Sequence, residues 1–366
     1  MRPSKSFRRR LRQKERRYYA RLDGHFRDRY SRYRNPKWSK EKNKKRIHRL
    51  CKVHDSALYF HIKFPSNFSI YSQSDSDDAL RACCAISDSH RRILLDLSRV
   101  ELISAAAAAM LMSCIYKALS KGTFIKCNHP ADNKAVAVLQ KIGLFSSLGK
   151  KSPLSTSVMN SYPDVECWYV YSENSFDAKT IYECVHDFAK HLKNRDESQE
   201  ISASGIRKLE INVKELIANI VEHAYSKEYT FDKRWLLFAR YDHEKHWLTI
   251  IISDSGKTIP TTFVQYHQDD PGFSGRIKSA LNSDRRLIAM AVQEAGTGTQ
   301  KGGRGYGLRK VEQYVQEFGG GLFIYSRNGF YKSDGSTAYI HPIKLRKPVE
   351  GTIVDLILPL ESLLKA

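Results

Sequence analysis

The sequence has no apolar run approaching the roughly 18 residues needed to span a membrane. Its longest candidate, Ile103–Met112, is short and dominated by alanine, and reads as a packed helix. The start of the chain is basic with no apolar signal region behind it, so a secreted protein is not expected. Paired-cysteine spacing is missing as well. The seven cysteines are an odd, scattered set that includes the vicinal pair Cys83-Cys84 but no CxxC. That argues against a zinc site or a disulfide framework and favours a reduced, cytoplasmic compartment. At 366 residues the chain is long enough for two or three domains with sizeable cores.

Acidic residues are scarce, 39 against 61 Lys and Arg, for a net charge of +22. The deficit is local. Residues 1–52 hold 22 Lys/Arg and 4 Asp/Glu, a balance of +18, which leaves 39 against 35 in the remainder. In that stretch arginines interleave with Tyr18, Tyr19, Phe26, Tyr30, Tyr33 and Trp38, and aliphatic residues are nearly absent. Such a composition cannot bury a core of its own, so it reads as a basic arm, disordered or helical. Cations for phosphates and rings for bases would suit a nucleic acid. An acidic protein partner would use the same features, and a solvated tail with incidental polyanion affinity is the plainer alternative.

From Val53 to Gly149 the pattern alternates. Ala57–Phe64, Arg92–Leu97 and Thr123–Cys127 read as strands; Ser104–Leu119 and Ala131–Ile142 read as helices. Strands alternating with helices predict an α/β layer packing. ILLDLSRVELISAAAAAML followed by AVAVLQKIGLFSSL resembles the STAS domain of anti-sigma factor antagonists. In that family the loop before the first of these helices carries an aspartate and a phosphoacceptor serine. Here Ser104 and Ala105 occupy those positions. Alanine has no hydroxyl, so the family's switch chemistry is missing at that place, and Ser104 reads as a helix N-cap.

Lys150–Pro163 is a linker by composition, KKSPLSTS with a later proline. Val165–Tyr171 reads as a strand. Asp177–Leu192 reads as a helix with an apolar stripe and two histidines, His186 and His191, taken as surface residues. Then comes KLEINVKELIANIVEHAY, Lys208–Tyr225. Its Leu209, Val213, Leu216, Ile217, Ile220 and Ala224 recur near a 3.6-residue period, the mark of an amphipathic helix. Glu215, Asn219 and His223, spaced i, i+4, i+8, would line one side of it.

Three further motifs follow. ISDSGKTIP (Ile252–Pro260) ends an apolar strand-like run in Asp254-Ser255-Gly256; GGRGYGL (Gly302–Leu308) is a glycine-rich turn before a helix; GTIVDLILP (Gly351–Pro359) opens a buried strand with a threonine. In this order the four resemble the boxes of the GHKL ATPases, a family that includes anti-sigma serine kinases, histidine-kinase catalytic domains and gyrase B. The resemblance runs from near Val165 onward. It implies that Asn219 holds the Mg2+ bridging the ATP phosphates, that Glu215 polarises a water or a substrate hydroxyl, and that His223 lies near the phosphates. It further implies that Asp254 accepts the adenine amino proton beside Gly256, and that Thr352 closes the adenine side. Gly303, Gly305 and Gly307 would present backbone N–H groups to the phosphates, with Arg304 adding a cation. The family pattern DxGxG is broken at Thr258, which stands where the second glycine would be. About forty residues between Pro260 and Gly302, with a capped helix over Ser283–Ala295, resemble the family's ATP lid. DHEKH (Asp242–His246) contains an HxxH, but between two strand-like runs it reads as a hairpin turn.

The expected organisation is α/β throughout: a basic arm over 1–52, a STAS-like domain over 53–150, a linker over 151–164 and a GHKL α/β sandwich over 165–366. The expected function is that of a cytoplasmic ATP-Mg2+ regulator resembling anti-sigma serine kinases, hydrolysing ATP or passing its γ-phosphoryl to a partner protein. The alternative is a non-catalytic ATP-dependent switch that binds a protein or nucleic-acid partner. No membrane partner is expected, and a homodimer is compatible with either reading.

Overall fold

Strands Trp235–Asp242, Trp247–Asp254, Gly321–Arg327 and Val349–Pro359 each hold apolar side chains at consecutive positions, facing both ways, which a sheet wet on one face would not tolerate. The computed structural model shows why. It describes residues 59–87, 92–159, 161–162, 169–173, 179–180, 182–183, 186–187, 190, 202–225, 234–242, 246–267, 274–293, 307–334 and 345–361. The chain divides into two units, Met1–Phe60 and His61–Ala366, and nearly all the described residues belong to the second. The basic arm and the helix expected over Asp177–Leu192 lie wholly or largely outside the described residues.

In chain order the elements are β1 (Phe60–Lys63), β2 (Asn67–Phe68), α1 (Gln73–Ser87), β3 (Arg92–Asp96), β4 (Leu102–Ile103), α2 (Ala105–Ser120), β5 (Phe124–Cys127), α3 (Asn133–Lys141), α4 (Leu144–Ser147), α5 (Thr156–Met159) and β6 (Tyr169–Glu173). Next come α6 (Ala203–Asn219), a π-helical turn (Ile220–Ala224), β7 (Trp235–Asp242), β8 (Trp247–Asp254), α7 (Ile259–His267), α8 (Ser274–Ala280) and α9 (Asp284–Gln293). The order ends with α10 (Gly307–Glu317), β9 (Gly321–Arg327), β10 (Gly329–Asp334) and β11 (Val349–Pro359). Among the elements without an expectation in the sequence is α1, whose stretch QSDSDDALRACCAIS opens with six polar residues before any apolar one.

The main sheet has six strands in the order β10-β9-β11-β8-β7-β6, every neighbouring pair antiparallel. Asp242 and Trp247 face each other across β7 and β8, so DHEKH joins an antiparallel pair, as the hairpin reading requires. Alternation sorts the side chains into two cores. Trp235, Leu237, Leu248, Ile250, Ile252, Leu322, Ile324, Val354, Leu356 and Leu358 meet α6, α9 and α10 on one face. Leu236, Phe238, Ile251, Phe323, Tyr325 and Ile353 share the other core with residues of α1, α2, β3 and α3.

The helix that covers this second face is α2, which packs against β7, β8 and β11. Its start is set by Ser104, whose hydroxyl accepts the Ala107 N–H at 3.3 Å, the N-cap role expected of it. Beyond the cap five consecutive alanines are buried, four of them completely. Alanine adds almost no girth to the helix, so the backbone can lie close to its neighbours on every side. Behind α2 lies the small sheet β1-β3-β5, in which β3 and β5 run parallel. Polar contacts stitch the layers together. Tyr71 donates to Asp355 at 2.8 Å, Ser113 shares a hydrogen bond of 3.0 Å with Ser253, and Arg346 pairs with Asp77 at 3.2 Å.

Overfilling this interface should be costly. Ala108 is wholly buried, so Ala108→Leu should lower stability by about 1–3 kcal/mol through forced displacement of α2. Urea denaturation is the check. An unchanged midpoint would mean that the alanine run is not packed against its neighbours as described.

Candidate functional site

The face of the sheet under α6 and α10 holds the residues singled out in the sequence. Ser202 caps α6 by accepting the Gly205 N–H at 2.8 Å, and Leu209, Val213, Leu216 and Ile217 bury its apolar stripe. Glu215 and Asn219 therefore lie one turn apart on the remaining side. Opposite them is Gly307, the first residue of α10. A Cβ built on Gly307 would stand 3.1 Å from Glu215 Oε2 and 3.2 Å from Asn219 Nδ2. The first turn of α10, whose backbone N–H groups have no acceptor within the helix, is thus brought against the carboxylate and the amide. Asn219 Nδ2 is buried with no hydrogen-bond partner among the described residues, a costly state for a donor.

His223 departs from the expected line. After Asn219 the helix widens into the π-helical turn 220–224, which rotates the following residues away from α-helical phase. His223 is exposed there, its ring edge-on to Tyr266 of α7 with centroids 5.3 Å apart. Nothing in IVEHAY marks a π turn, because its apolar spacing suits either helix.

The π turn ends against the Asp254–Gly256 motif. Ala224 accepts the Lys257 N–H at 2.6 Å, and a Cβ on Gly256 would lie 2.2 Å from the Ala224 oxygen. Gly256 is therefore required by the approach of one backbone to another. Tyr225, which the sequence analysis did not single out, locks the junction: its hydroxyl accepts the Ser255 N–H at 3.2 Å and donates to the Arg234 carbonyl at 2.5 Å.

Asp254 ends β8 opposite Thr352 of β11 on one side and Trp235 of β7 on the other. It is buried, and it accepts the Gly256 N–H at 2.7 Å. Burial pushes its carboxyl up to about 7, opposed by the backbone N–H groups of Gly256 and Thr352. Thr352 shares a hydrogen bond of 2.9 Å with Ser326, whose hydroxyl also accepts the Ile259 N–H at 3.0 Å. This fixes the start of α7 to the same strand ends. Gly303, Arg304 and Gly305 lie outside the described residues. Lys310, one turn into α10, was missed in the sequence; its Nζ lies 3.9 Å from Glu215 Oε1. Only its spacing from Gly307 could have pointed to it.

Two groups of side chains result: a carboxylate and an amide facing a helix start, and a buried carboxylate beside a threonine at the strand ends, with the π turn 220–224 running from the first to the second through the Ala224–Gly256 contact. Residues 205–362 match the family model described as histidine kinase-, DNA gyrase B- and HSP90-like ATPase. A GHKL-type ATPase domain is thus detected there, within a mixed α/β fold, and domains of this type bind ATP, generally with Mg2+. The match leaves out β6, which nonetheless completes the sheet by pairing with β7. Compared with curated proteins, the chain matches none. No helix among the described residues is long and apolar enough to cross a membrane.

The buried carboxyls dictate a pH dependence. Asp254, and Asp355 on the opposite face of the sheet, are both held up to about 7 by burial. An unfolded chain releases these protons near pH 4, the folded one only near 7. Their contribution to stability is therefore complete below about pH 4 and is lost as pH rises through about 7, with a slope of up to about 1.4 kcal/mol per unit for each group. Asp254→Asn and Asp355→Asn should each match the wild type near pH 4 and exceed it at pH 8 in thermal denaturation. Parallel curves for wild type and variants across that range would show that these carboxyls ionise normally.

Proposed function

We propose that the protein binds ATP with Mg2+ and transfers the γ-phosphoryl to water or to a serine hydroxyl of a partner protein. The observation that carries this reading is the meeting of Glu215 and Asn219 with the Gly307 end of α10 inside the matched ATPase domain. Asn219 offers an amide oxygen, a hard ligand suited to Mg2+. Among the described residues no group of three or more His, Cys, Asp or Glu side chains could hold a metal ion. A divalent ion here would lean on phosphate oxygens and water, the usual habit of magnesium. Bound there, it would neutralise charge developing on the phosphates.

The chain's own groups supply the rest. Asp254 would accept the amino proton of adenine, while Thr352 borders the same position. The N–H groups at the start of α10 would take phosphate oxygens. Glu215 would draw the proton from the attacking oxygen as its bond to γ-phosphorus forms and the bond to the bridging oxygen breaks, leaving ADP. His223 would reach the outer phosphate only from its exposed position beside Tyr266. The in-cis α/β layer of residues 61–148, with Ala105 in place of a phosphoacceptor, would dock or inhibit and not receive phosphate. A STAS-like origin for it rests on the sequence motif alone.

The Lys310 ammonium, 3.9 Å from Glu215 Oε1, favours a second reading, a switch that binds ATP without turnover, because the carboxylate already faces a cation where a substrate hydroxyl would come. Labelled γ-phosphate in ATP separates the two. Incubation with Mg2+ and separation of free phosphate from phosphoprotein should show turnover, Glu215→Gln should stop it with ATP affinity within a few-fold, and Asn219→Ala should lose mainly the Mg2+-dependent affinity. Binding without turnover in the wild type, with or without partners, would establish the switch. Equal nucleotide affinity in wild type, Asn219→Ala and Asp254→Asn would remove the nucleotide site itself.

The basic arm supports a nucleic-acid or acidic partner, through its balance of +18 over residues 1–52. Its affinity for a single-stranded oligonucleotide should fall with salt at a log–log slope of about −0.7 to −0.9 per phosphate neutralised. Removal of residues 1–52 should abolish that binding in a fluorescence-anisotropy titration. Equal affinity and slope without them would place the contact elsewhere.

A further inference from the structure

The helix α2 does more than cover the back of the sheet. Ser113, Tyr116 and Lys117 project from one side of it, at i, i+3 and i+4. Each touches a different strand of the trio that holds Asp254 or, for Tyr116, the residue that leads into it. Ser113 shares its 3.0 Å hydrogen bond with Ser253, the residue before Asp254. The Tyr116 ring lies under the Arg234 guanidinium at 4.1 Å, and Arg234 leads into Trp235, which pairs with Asp254. Lys117 Nζ bonds Glu350 Oε2 at 2.7 Å, two residues before Thr352. Both partners of that last pair are mostly buried, so solvent screens it little.

The path from Glu350 to Asp254 is short and stiff. Val349 faces Arg327 and Thr352 faces Ser326, so Glu350 and Gly351 are looped out of register with β9. Gly351 has φ +73°, and a Cβ there would stand 2.1 Å from the Asp254 carbonyl oxygen. The bulge thus rests directly on Asp254, and its outer residue is held by α2. Arg234 is tied in on the other side, since the Tyr225 hydroxyl holds both its carbonyl and the Ser255 N–H.

We infer that α2 positions the Asp254–Thr352 end of the sheet through Ser113, Tyr116 and Lys117, and thereby sets the affinity for the base of the nucleotide. The inference rests on the nucleotide reading of Asp254 given above. These three are positioning residues: all act from the face of the sheet opposite the site. Because they act at the base end, ADP and ATP affinities must change by the same factor, with the Mg2+ dependence intact. That signature separates them from Asn219.

The test combines two readouts on the full chain. Lys117→Glu sets like charges together at Glu350 and should weaken ADP and ATP equally, by about tenfold, in calorimetry. Lys117→Met keeps the buried stem without the charge and should weaken both by about threefold; it also serves if Lys117→Glu does not fold. The exchanged pair Lys117→Glu with Glu350→Lys should return both affinities to within twofold of the wild type, a rescue that mere loss of packing would not show. In ligand-free protein, hydrogen exchange at the Ser255 and Gly256 amides should quicken in the single variants and recover in the pair. Unchanged affinities and unchanged exchange in Lys117→Glu and Lys117→Met would overturn the inference. Quickened exchange in a protein whose wild type binds neither nucleotide would uphold the positioning and overturn the nucleotide assignment.

Discussion

Strands β7, β8, β9 and β11, buried on both faces, must find two apolar partners, and the rest of this structure depends on how they do so. One partner is the helical layer of the ATPase domain, α6, α9 and α10. The other is α2, drawn from a segment more than a hundred residues earlier in the chain. Because β8 and β11 are sealed on both sides, their ends are the places where polar chemistry emerges. Asp254 and Thr352 sit at those ends, with Ser253 facing the other way into α2. The price of such burial is visible in the carboxyls of Asp254 and Asp355, both displaced toward neutrality.

Much of this was legible in the sequence, for physical reasons. The apolar periods of 208–225, 247–254 and 351–359 are long and regular, and regular periods identify elements well. The pairing of Glu215 with Asn219 followed from helical spacing alone. Ser104 was legible as a cap, because a hydroxyl before an alanine-rich helix has few other uses. Long-range geometry was not. The π turn breaks the phase of His223 without altering the hydrophobic pattern. Lys310 meets Glu215 through tertiary packing that no local spacing encodes. Gly256 could be marked as special from its motif, but only the approach of Ala224 shows what its missing side chain makes room for. The two-sided burial of the sheet was written in WLTIIISD as a near-continuous apolar run, yet a run of that kind does not say which segment supplies the second cover.

The site also shows how a rigid frame and a variable edge are divided. The Asp254–Thr352 end is built from strand ends, a bulge and a π turn, cross-braced by Tyr225 and Ser326. The Glu215–Asn219 end relies on the first turn of one helix, α10, and on side chains that are partly exposed. On the reading proposed above, the base of a nucleotide would fall to the stiffest elements. Its phosphates, the part that changes in a reaction, would fall to elements with fewer constraints.

The position of β11 in the sheet has a consequence for synthesis. It is the last strand in the described chain, yet it lies in the middle of the sheet, between β9 and β8. As the chain leaves the ribosome, α2 and the strands β7 and β8 emerge well before their common neighbour. Until residues 349–359 emerge, β8 has an open edge and α2 lacks part of the surface that buries it. Nascent chains in that state expose apolar faces and unpaired strand edges, the features that chaperones recognise. The fold is therefore completed from its centre last, and its dependence on assistance during translation should exceed that of a sheet assembled in sequence order.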